Sequence, residues 1–379
     1  MVNPRAKIIH APGSEVRHAH FESWFFSMTL SPVFRSDEAV RILETEGIWS
    51  RLDSSARGQA QAVANVKRDL PNVLDAKYID TAGLARVDAR HTVKVEFVQE
   101  FFFLILFRSV LQTLGVSTSD LELCSELNFC IKGTITAADN LFDDQDKALL
   151  PLKAGEGARF RSILQLLAFE RLSIRALDRG VSAGAMSKAS ADQFQKELLS
   201  CLTAIGALEG SEERGVDTVL DPDVMIEKVH RVRGGALFEL AFIAPRLLHT
   251  SVDPQRLSRA QHAISKLGTA FQIVDDVTDF EIDLVNGSNN LLVSQITHHG
   301  SAEEQMNLKS LRKGTPRTTD LVTELFADSG RAVIEKGEEH ARSALVELHA
   351  LGFWFQPELS GHLVRAIVGL DGVERMRAL

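Results

Sequence analysis

The chain has 379 residues, 45% hydrophobic and 25% charged, with a formal net charge of −9 and an isoelectric point near 5.8. That balance suits one large folded domain or two smaller ones and argues against nucleic-acid binding, which calls for a basic face or tail. Three cysteines, Cys124, Cys130 and Cys201, with no CxxC pairing, exclude a disulfide framework or a zinc site and read as small buried side chains of a cytoplasmic protein.

In chain order, residues 1–13 carry no apolar run of the kind a secretory signal needs. Residues 1–20 read as loosely attached. The aromatic patch Phe21-Glu-Ser-Trp24-Phe25-Phe26-Ser-Met28 either packs this segment onto the body or caps a cavity. Val40, Leu43, Ile48 and Leu52 recur at helical spacing, which predicts a helix over 37–69 that stops at Leu70-Pro71-Asn72. Residues 1–91 read as a partly helical N-terminal extension and 92–379 as the main domain.

Residues 93–114 read as one helix ended by Gly115. Its apolar run Phe101–Phe107 is far shorter than the ~20 residues of a membrane span, so a buried core helix is expected and no transmembrane segment. Ser117-Thr-Ser119-Asp120 is a capping cluster, with Glu122 close by, for a helix over about 120–144. That helix carries Asp139 and Asp143 one turn apart, followed by Asp144 and Asp146. Like charges at this spacing repel, and carboxylates near a helix C-terminus oppose its dipole. Both penalties point to a bound divalent cation, and oxygen-only ligands suit Mg²⁺. A calcium loop over 139–150 is excluded, because the turn glycine and the closing glutamate are missing. The loop that follows supplies Lys147 and Lys153, with Arg159 and Arg161 beyond. These side chains are suited to phosphate oxygens, or form a solvated loop.

Helices are predicted at about 158–178, 189–208, 222–249, 254–284, 303–313, 318–350 and 357–376, with breaks at glycine and proline. No β-alternation is long enough for a sheet, so the fold class is all-α. Within the predicted helix over 222–249, Gly234 and Gly235 cost about 1 kcal/mol each relative to Ala. They mark either close helix packing or a local break that turns backbone groups into a cavity. On the helix that carries Gly268–Asp279, Ile264, Leu267, Phe271 and Val274 form an apolar stripe. Asp275, Asp279 and Gln272 lie on another side, which repeats the metal argument.

Phe271-Gln272-x-x-Asp275-Asp276-x-x-Asp279 resembles the second aspartate-rich motif of trans-polyprenyl diphosphate synthases. Asp139-Asn140-x-x-Asp143-Asp144 resembles the first, with Asn140 where an aspartate usually stands. The resemblance covers roughly 95–295. It implies the class I isoprenoid synthase fold, an all-α bundle around a deep apolar cavity with two Asp-rich helices at its mouth. It further implies that Asp139, Asp143, Asp144, Asp275, Asp276 and Asp279 hold three Mg²⁺ ions bridged to a substrate diphosphate, and that the chain forms a homodimer. Phe271, Gln272, Gly234 and Gly235 would then face the cavity or break the helix beside it.

Arg233 stands about where the family has a phosphate-binding lysine. Arg231 and Gly235 have the spacing of the diphosphate-sensing arginine and kink of terpene cyclases, so one of the two arginines is expected to contact diphosphate. Lys132 replaces a histidine that usually precedes the first motif. It joins Lys147 among the candidate diphosphate ligands. Asn290 and Ser294, with His298 one turn further, match a cyclase metal triad faintly and otherwise read as loop or cap chemistry.

One departure bears on function. Elongating synthases carry a Gly-Lys-Arg segment upstream of the first motif, whereas His91-Thr-Val-Lys94-Val-Glu96 through Phe103 offers a single lysine. The expectation is therefore a terpene cyclase that ionises one allylic prenyl diphosphate, such as geranylgeranyl diphosphate. The alternatives are chain elongation with isopentenyl diphosphate and a non-catalytic synthase subunit.

Overall fold

Local sequence sets where the helices start and stop. The computed structural model describes residues 36–88, 95–142, 145–153, 155, 157–212, 215–311 and 320–379. Helices α1 (Asp37–Thr45) and α2 (Ile48–Asp69) replace the single helix expected over 37–69. Gly47 separates them in the left-handed region, with φ 71°, which only glycine adopts readily. After α3 (Thr81–Asp88), the helix expected over 93–114 is likewise divided into α4 (Val95–Glu100) and α5 (Phe102–Thr113) at Phe101. Helix α6 (Thr118–Phe142) begins at the expected cap: the Ser117 hydroxyl accepts the Asp120 N–H at 3.2 Å and donates to its carboxylate at 2.8 Å.

Helices α7 (Ala158–Ser182) and α8 (Lys188–Glu212) follow. A continuous rod over 222–247, here α9, changes pitch along its length. It runs from an α-turn (Pro222–Met225) into a π-helical segment (Ile226–Ala236), then through Leu237–Glu239 and a 3₁₀ turn (Leu240–Phe242) to Ile243–Leu247. Helix α10 (Pro254–Thr278) ends at Asp279, where 254–284 was expected to be unbroken, and α11 (Phe280–Asn286) begins directly after. The remainder is α12 (Leu291–His299), α13 (Ala302–Leu311), α14 (Leu321–Leu325), α15 (Ala327–Ala350), α16 (Ser360–Ile367) and α17 (Leu370–Ala378). Among the described residues there is no strand beyond an isolated bridge between Ile79 and Leu152, so the all-α expectation is met. No described helix is long and apolar enough to cross a membrane.

Helix α10 packs along α15 and the π-helical part of α9, and α6 packs along α7. The buried stripe of α10 includes Ile264, Leu267 and Val274 of the spacing marked in the sequence, joined by Ala263 and Ala270, whereas Phe271 is half-buried. On α6, a Cβ at Gly133 would fall 2.1 Å from the Phe169 ring, so the missing side chain lets that ring lie on the helix backbone. Leu43, Leu52, Val63 and Leu70 share one core with Phe102 and Phe129, so residues 36–88 have no separate core of their own. A second, smaller core joins Val229, Ile273, Phe280, Leu292 and Phe326 beneath the end of α10. Cys124 and Cys130 are buried and Cys201 half-buried, all as free thiols, and burial pushes all three pKa values up. The aromatic patch Phe21–Met28 lies outside the described residues.

Candidate active site

Adjacent residues on a helix point about 100° apart, so Asp275 and Asp276 have different surroundings. The Asp276 carboxylate is buried. Its Oδ2 lies 2.7 Å from His230 Nε2 and accepts the Leu291 N–H at the start of α12. The other ring nitrogen of His230 faces the Met225 carbonyl at 3.3 Å. Asp276 thus ties α10 to α9 and α12 and is turned away from the face that carries Asp275.

Asp275 has much of its surface open to water, yet protein surrounds the carboxylate closely enough for desolvation to matter. Burial first, then the carboxylates of Asp279, Asp276 and Asp283, push Asp275 up to about 8, with Arg233 opposing. Asp279 stays one turn from Asp275, its N–H donating to the Asp275 carbonyl at 2.9 Å. Asp283, on α11, is pushed up to about 7 by burial and by Asp276 and Asp279, against a hydrogen bond from Asn290 and the charge of Arg233. Three carboxylates in each other's field, at the negative end of a helix dipole, form a site that a cation would stabilise.

Two residues without a local sequence signal hold this end together. Arg375 of α17 is buried. It donates to the Val277 carbonyl, to the Thr278 carbonyl at 2.8 Å and to the Glu281 carboxylate, so it caps the orphan carbonyls at the end of α10. His230 is the other. Each meets its partner across a long stretch of chain.

The remaining sequence candidates are placed as follows. Arg231 is exposed and pairs with Glu227 on its own helix at 3.3 Å. Arg233 is half-buried and pairs with Glu209 at 2.5 Å and Glu212 at 3.0 Å. Gly234 and Gly235 lie against α10, where a Cβ on Gly234 would sit 2.3 Å from the Gly268 carbonyl oxygen and 2.9 Å from Gln272 Cβ. Close packing therefore accounts for the glycine pair, within a π-helical stretch. Phe271 is half-buried in a ring cluster, with Phe103 at 5.3 Å and Phe238 at 5.8 Å between centroids.

Asn290 is the N-cap of α12, its Oδ1 accepting from Leu292 and Val293 N–H while its Nδ2 donates to the Asp276 carbonyl at 2.7 Å. Ser294 donates to the Leu220 carbonyl at 2.6 Å, and His298 faces the Val219 carbonyl at 3.1 Å. The Asn290–Ser294–His298 row is thus engaged with backbone, as loop and cap chemistry.

At the first acidic cluster, Asp139 is exposed near the end of α6, and Asp143 and Asp144 lie outside the described residues. Asn140 is buried. Its Nδ2 donates to the Lys147 carbonyl at 3.0 Å and its Oδ1 accepts the Lys147 N–H at 3.1 Å. An aspartate could make only the second of these bonds, which gives the departure from the usual motif a physical reason. Lys147 itself is exposed. The Lys132 ammonium lies 5.9 Å from the Phe101 ring centroid, and burial pushes its pKa down. Among the described residues, no three His, Cys, Asp or Glu side chains converge closely enough to hold a metal by themselves. Two recesses, of about 240 Å³ beside His362 and Arg365 and about 600 Å³ beside Arg246 and Gln261, border neither acidic cluster.

Over 231 residues the sequence is 26% identical to octaprenyl diphosphate synthase of Escherichia coli K12, which covers 56% of this chain and 68% of that protein. A polyprenyl synthetase from Streptomyces coelicolor superposes on 84% of this chain and 99% of its own, with TM-score 0.58 and 14% identity. The chain thus has the isoprenoid synthase fold and is similar in sequence to an octaprenyl diphosphate synthase. The fold also matches a polyprenyl synthase from Caulobacter crescentus, solved with calcium and isoprenyl diphosphate, over 86% of this chain and 97% of that one, with TM-score 0.54 and 16% identity. No family model matches the sequence. These relatives support the elongating alternative better than the cyclase expectation.

Proposed function

We propose that the chain is a Mg²⁺-dependent prenyltransferase that ionises an allylic prenyl diphosphate and extends it with isopentenyl diphosphate. The observation that carries this reading is the end of α10. There burial and the neighbouring carboxylates, Asp279 among them, raise the proton affinity of both Asp275 and Asp283, in a chain similar along much of its length to an octaprenyl diphosphate synthase.

The donor set fits the metal: carboxylate oxygens without sulfur or imidazole, crowded enough to need a cation. Bound there, Mg²⁺ would offset the charge of the departing diphosphate. Asp275 and Asp279 would hold it from the end of α10, and Asp139 from α6 together with Asp143, the residue that follows α6 in sequence. Asp276 and His230 keep the end of α10 in register, and Arg375 caps it. Arg233 lowers the proton affinity of the acidic group and would share its charge with diphosphate. Phe103, Phe238 and Phe271 supply an apolar, water-excluding wall for the hydrocarbon chain, and their ring faces attract a cation by roughly 1–2 kcal/mol each when desolvated.

Cyclisation of a single substrate is the second reading. It rests on the lone lysine within 91–103, because a second diphosphate substrate calls for more positive charge than that segment carries. A homodimer is in keeping with an exposed apolar stripe on α7, formed by Phe160, Ile163 and Leu167.

The deciding experiment incubates the protein with Mg²⁺ and geranylgeranyl diphosphate, with and without isopentenyl diphosphate, and identifies the products by mass. A longer diphosphate that needs isopentenyl diphosphate is the expected result. Hydrocarbon or alcohol from the single substrate would establish the cyclase instead.

A further inference from the structure

A buried junction beside the second acidic motif contains a group the mechanism above does not use. Glu212, at the end of α8, is a buried carboxylate with three donors. Its Oε2 accepts the Asn289 backbone N–H at 2.9 Å. Its Oε1 accepts the Asn289 side-chain Nδ2 at 2.7 Å and lies 3.0 Å from Arg233 Nη2. A carboxylate accepts only, so the amide of Asn289 must present its NH₂ to Glu212. Its Oδ1 is thereby forced to point away. That oxygen has no hydrogen-bond partner among the described residues, and Asn289 is only 8% exposed. Buried amide oxygens are rarely left unpaired, because the lost hydration is not recovered.

The location of this oxygen is informative. The next residue, Asn290, donates from its side chain to the Asp276 carbonyl at 2.7 Å and to Asp283 Oδ2 at 2.8 Å, so the backbone that carries Asn289 adjoins the acidic group. The Val216 N–H donates to the Gly287 carbonyl at 2.8 Å, which fixes the loop to the end of α8 from a second point. The orphaned oxygen is therefore rigidly held.

We propose that Asn289 is a ligand-contacting residue of the second acidic site, its Oδ1 accepting from the hydration water of a divalent cation bound there, and that Glu212 is the positioning residue that orients it. An acceptor beside carboxylates suits a hydrated cation, since Mg²⁺ keeps several waters whose protons need acceptors. Glu212 also orients Arg233, so one carboxylate aligns a cationic and a neutral contact to the same bound group. This assignment rests on the metal-diphosphate reading of the site.

The test measures binding directly, with Mg²⁺ and inorganic diphosphate as the probe. Calorimetry gives Kd, and melting curves with and without the probe report folding separately. Asn289→Ser keeps the backbone N–H that Glu212 holds and removes only the amide. It is expected to weaken Kd at least fivefold, and Glu212→Gln, which lets the amide turn over, at least threefold. Both are expected to show a smaller ligand-induced rise in Tm than the wild type. Binding by both variants within twofold of the wild type, whatever their ligand-free Tm, would make the junction merely structural and overturn the inference. If Glu212→Gln does not fold, Asn289→Ser alone decides. A wild-type protein that fails to bind the probe would sink the prenyltransferase reading and this one together, whereas intact wild-type binding with unaffected variants sinks this one only.

Discussion

Gly234 and Gly268 meet backbone to backbone: a Cβ on either would lie 2.3 Å from the other's carbonyl oxygen. The contact joins the π-helical stretch of α9 to the middle of α10, seven residues before Asp275. Neither helix can retreat without unpacking its other side. Gly268→Ala or Gly234→Ala is expected to destabilise the fold by about 1–3 kcal/mol, the usual cost of overpacking. Denaturant unfolding followed by circular dichroism measures this. Wild-type stability in both variants would mean that the helices separate more easily than their packing implies.

Asp275 and Asp276 are adjacent in sequence but differ in surroundings, so their amide variants are expected to fail differently. Asp276→Asn either turns an NH₂ toward the Leu291 N–H, donor facing donor, or places that NH₂ in the buried position of Oδ1, at a cost of about 1–3 kcal/mol. Asp275→Asn is expected to be at least as stable as the wild type and to lose most activity at any Mg²⁺ concentration. Thermal melts alongside Mg²⁺ titrations of activity separate the two outcomes.

The raised carboxylates also set a pH dependence. Asp275 is held near 8 and Asp283 near 7 in the folded chain, above the ordinary aspartate value of 3.8. Between the unfolded and folded values the native state binds more protons than the unfolded state, so stability falls as pH rises through that window. Without metal, Tm is expected to be higher at pH 6 than at pH 8, other groups being equal. Asp275→Asn is expected to raise Tm at pH 8 more than at pH 5. Saturating Mg²⁺ and diphosphate should flatten the slope, because a bound cation favours the ionised carboxylates. Melting curves across this range, with and without ligand, check the sign.

Asn140→Asp would restore the residue usual at this place in the first motif. The structure points to loss rather than gain, because the amide both donates to and accepts from the backbone of Lys147. The variant is expected to lose about 1–3 kcal/mol at neutral pH, where a buried carboxylate faces the Lys147 carbonyl. Loss of activity in step with protection of the Lys147 amide against hydrogen exchange would show that the amide shapes the loop.

What was legible in the sequence was local. Carboxylates four apart at 275 and 279, the Ser117 cap of α6 and the apolar stripe of α10 each depend on neighbours within one or two turns. Which of two adjacent aspartates turns inward does not, since Asp276 is held by His230, 46 residues earlier in the chain. Arg231 and Arg233 look equivalent by spacing, yet one faces solvent beside Glu227 while the other is drawn inward by Glu209 and Glu212. The division at Phe101 has no glycine or proline to mark it.

The cap that Arg375 places on α10 also bears on the order of assembly. Its donors reach carbonyls 98 and 97 residues earlier, so they arrive long after α10 has been synthesised. While the chain is being made, the end of α10 exposes its last carbonyls and Glu281 to water, and the acidic end stays loosely held. It becomes fixed only when α17 docks. A nascent chain therefore fixes the carboxylates at the end of α10 only after its helices have formed.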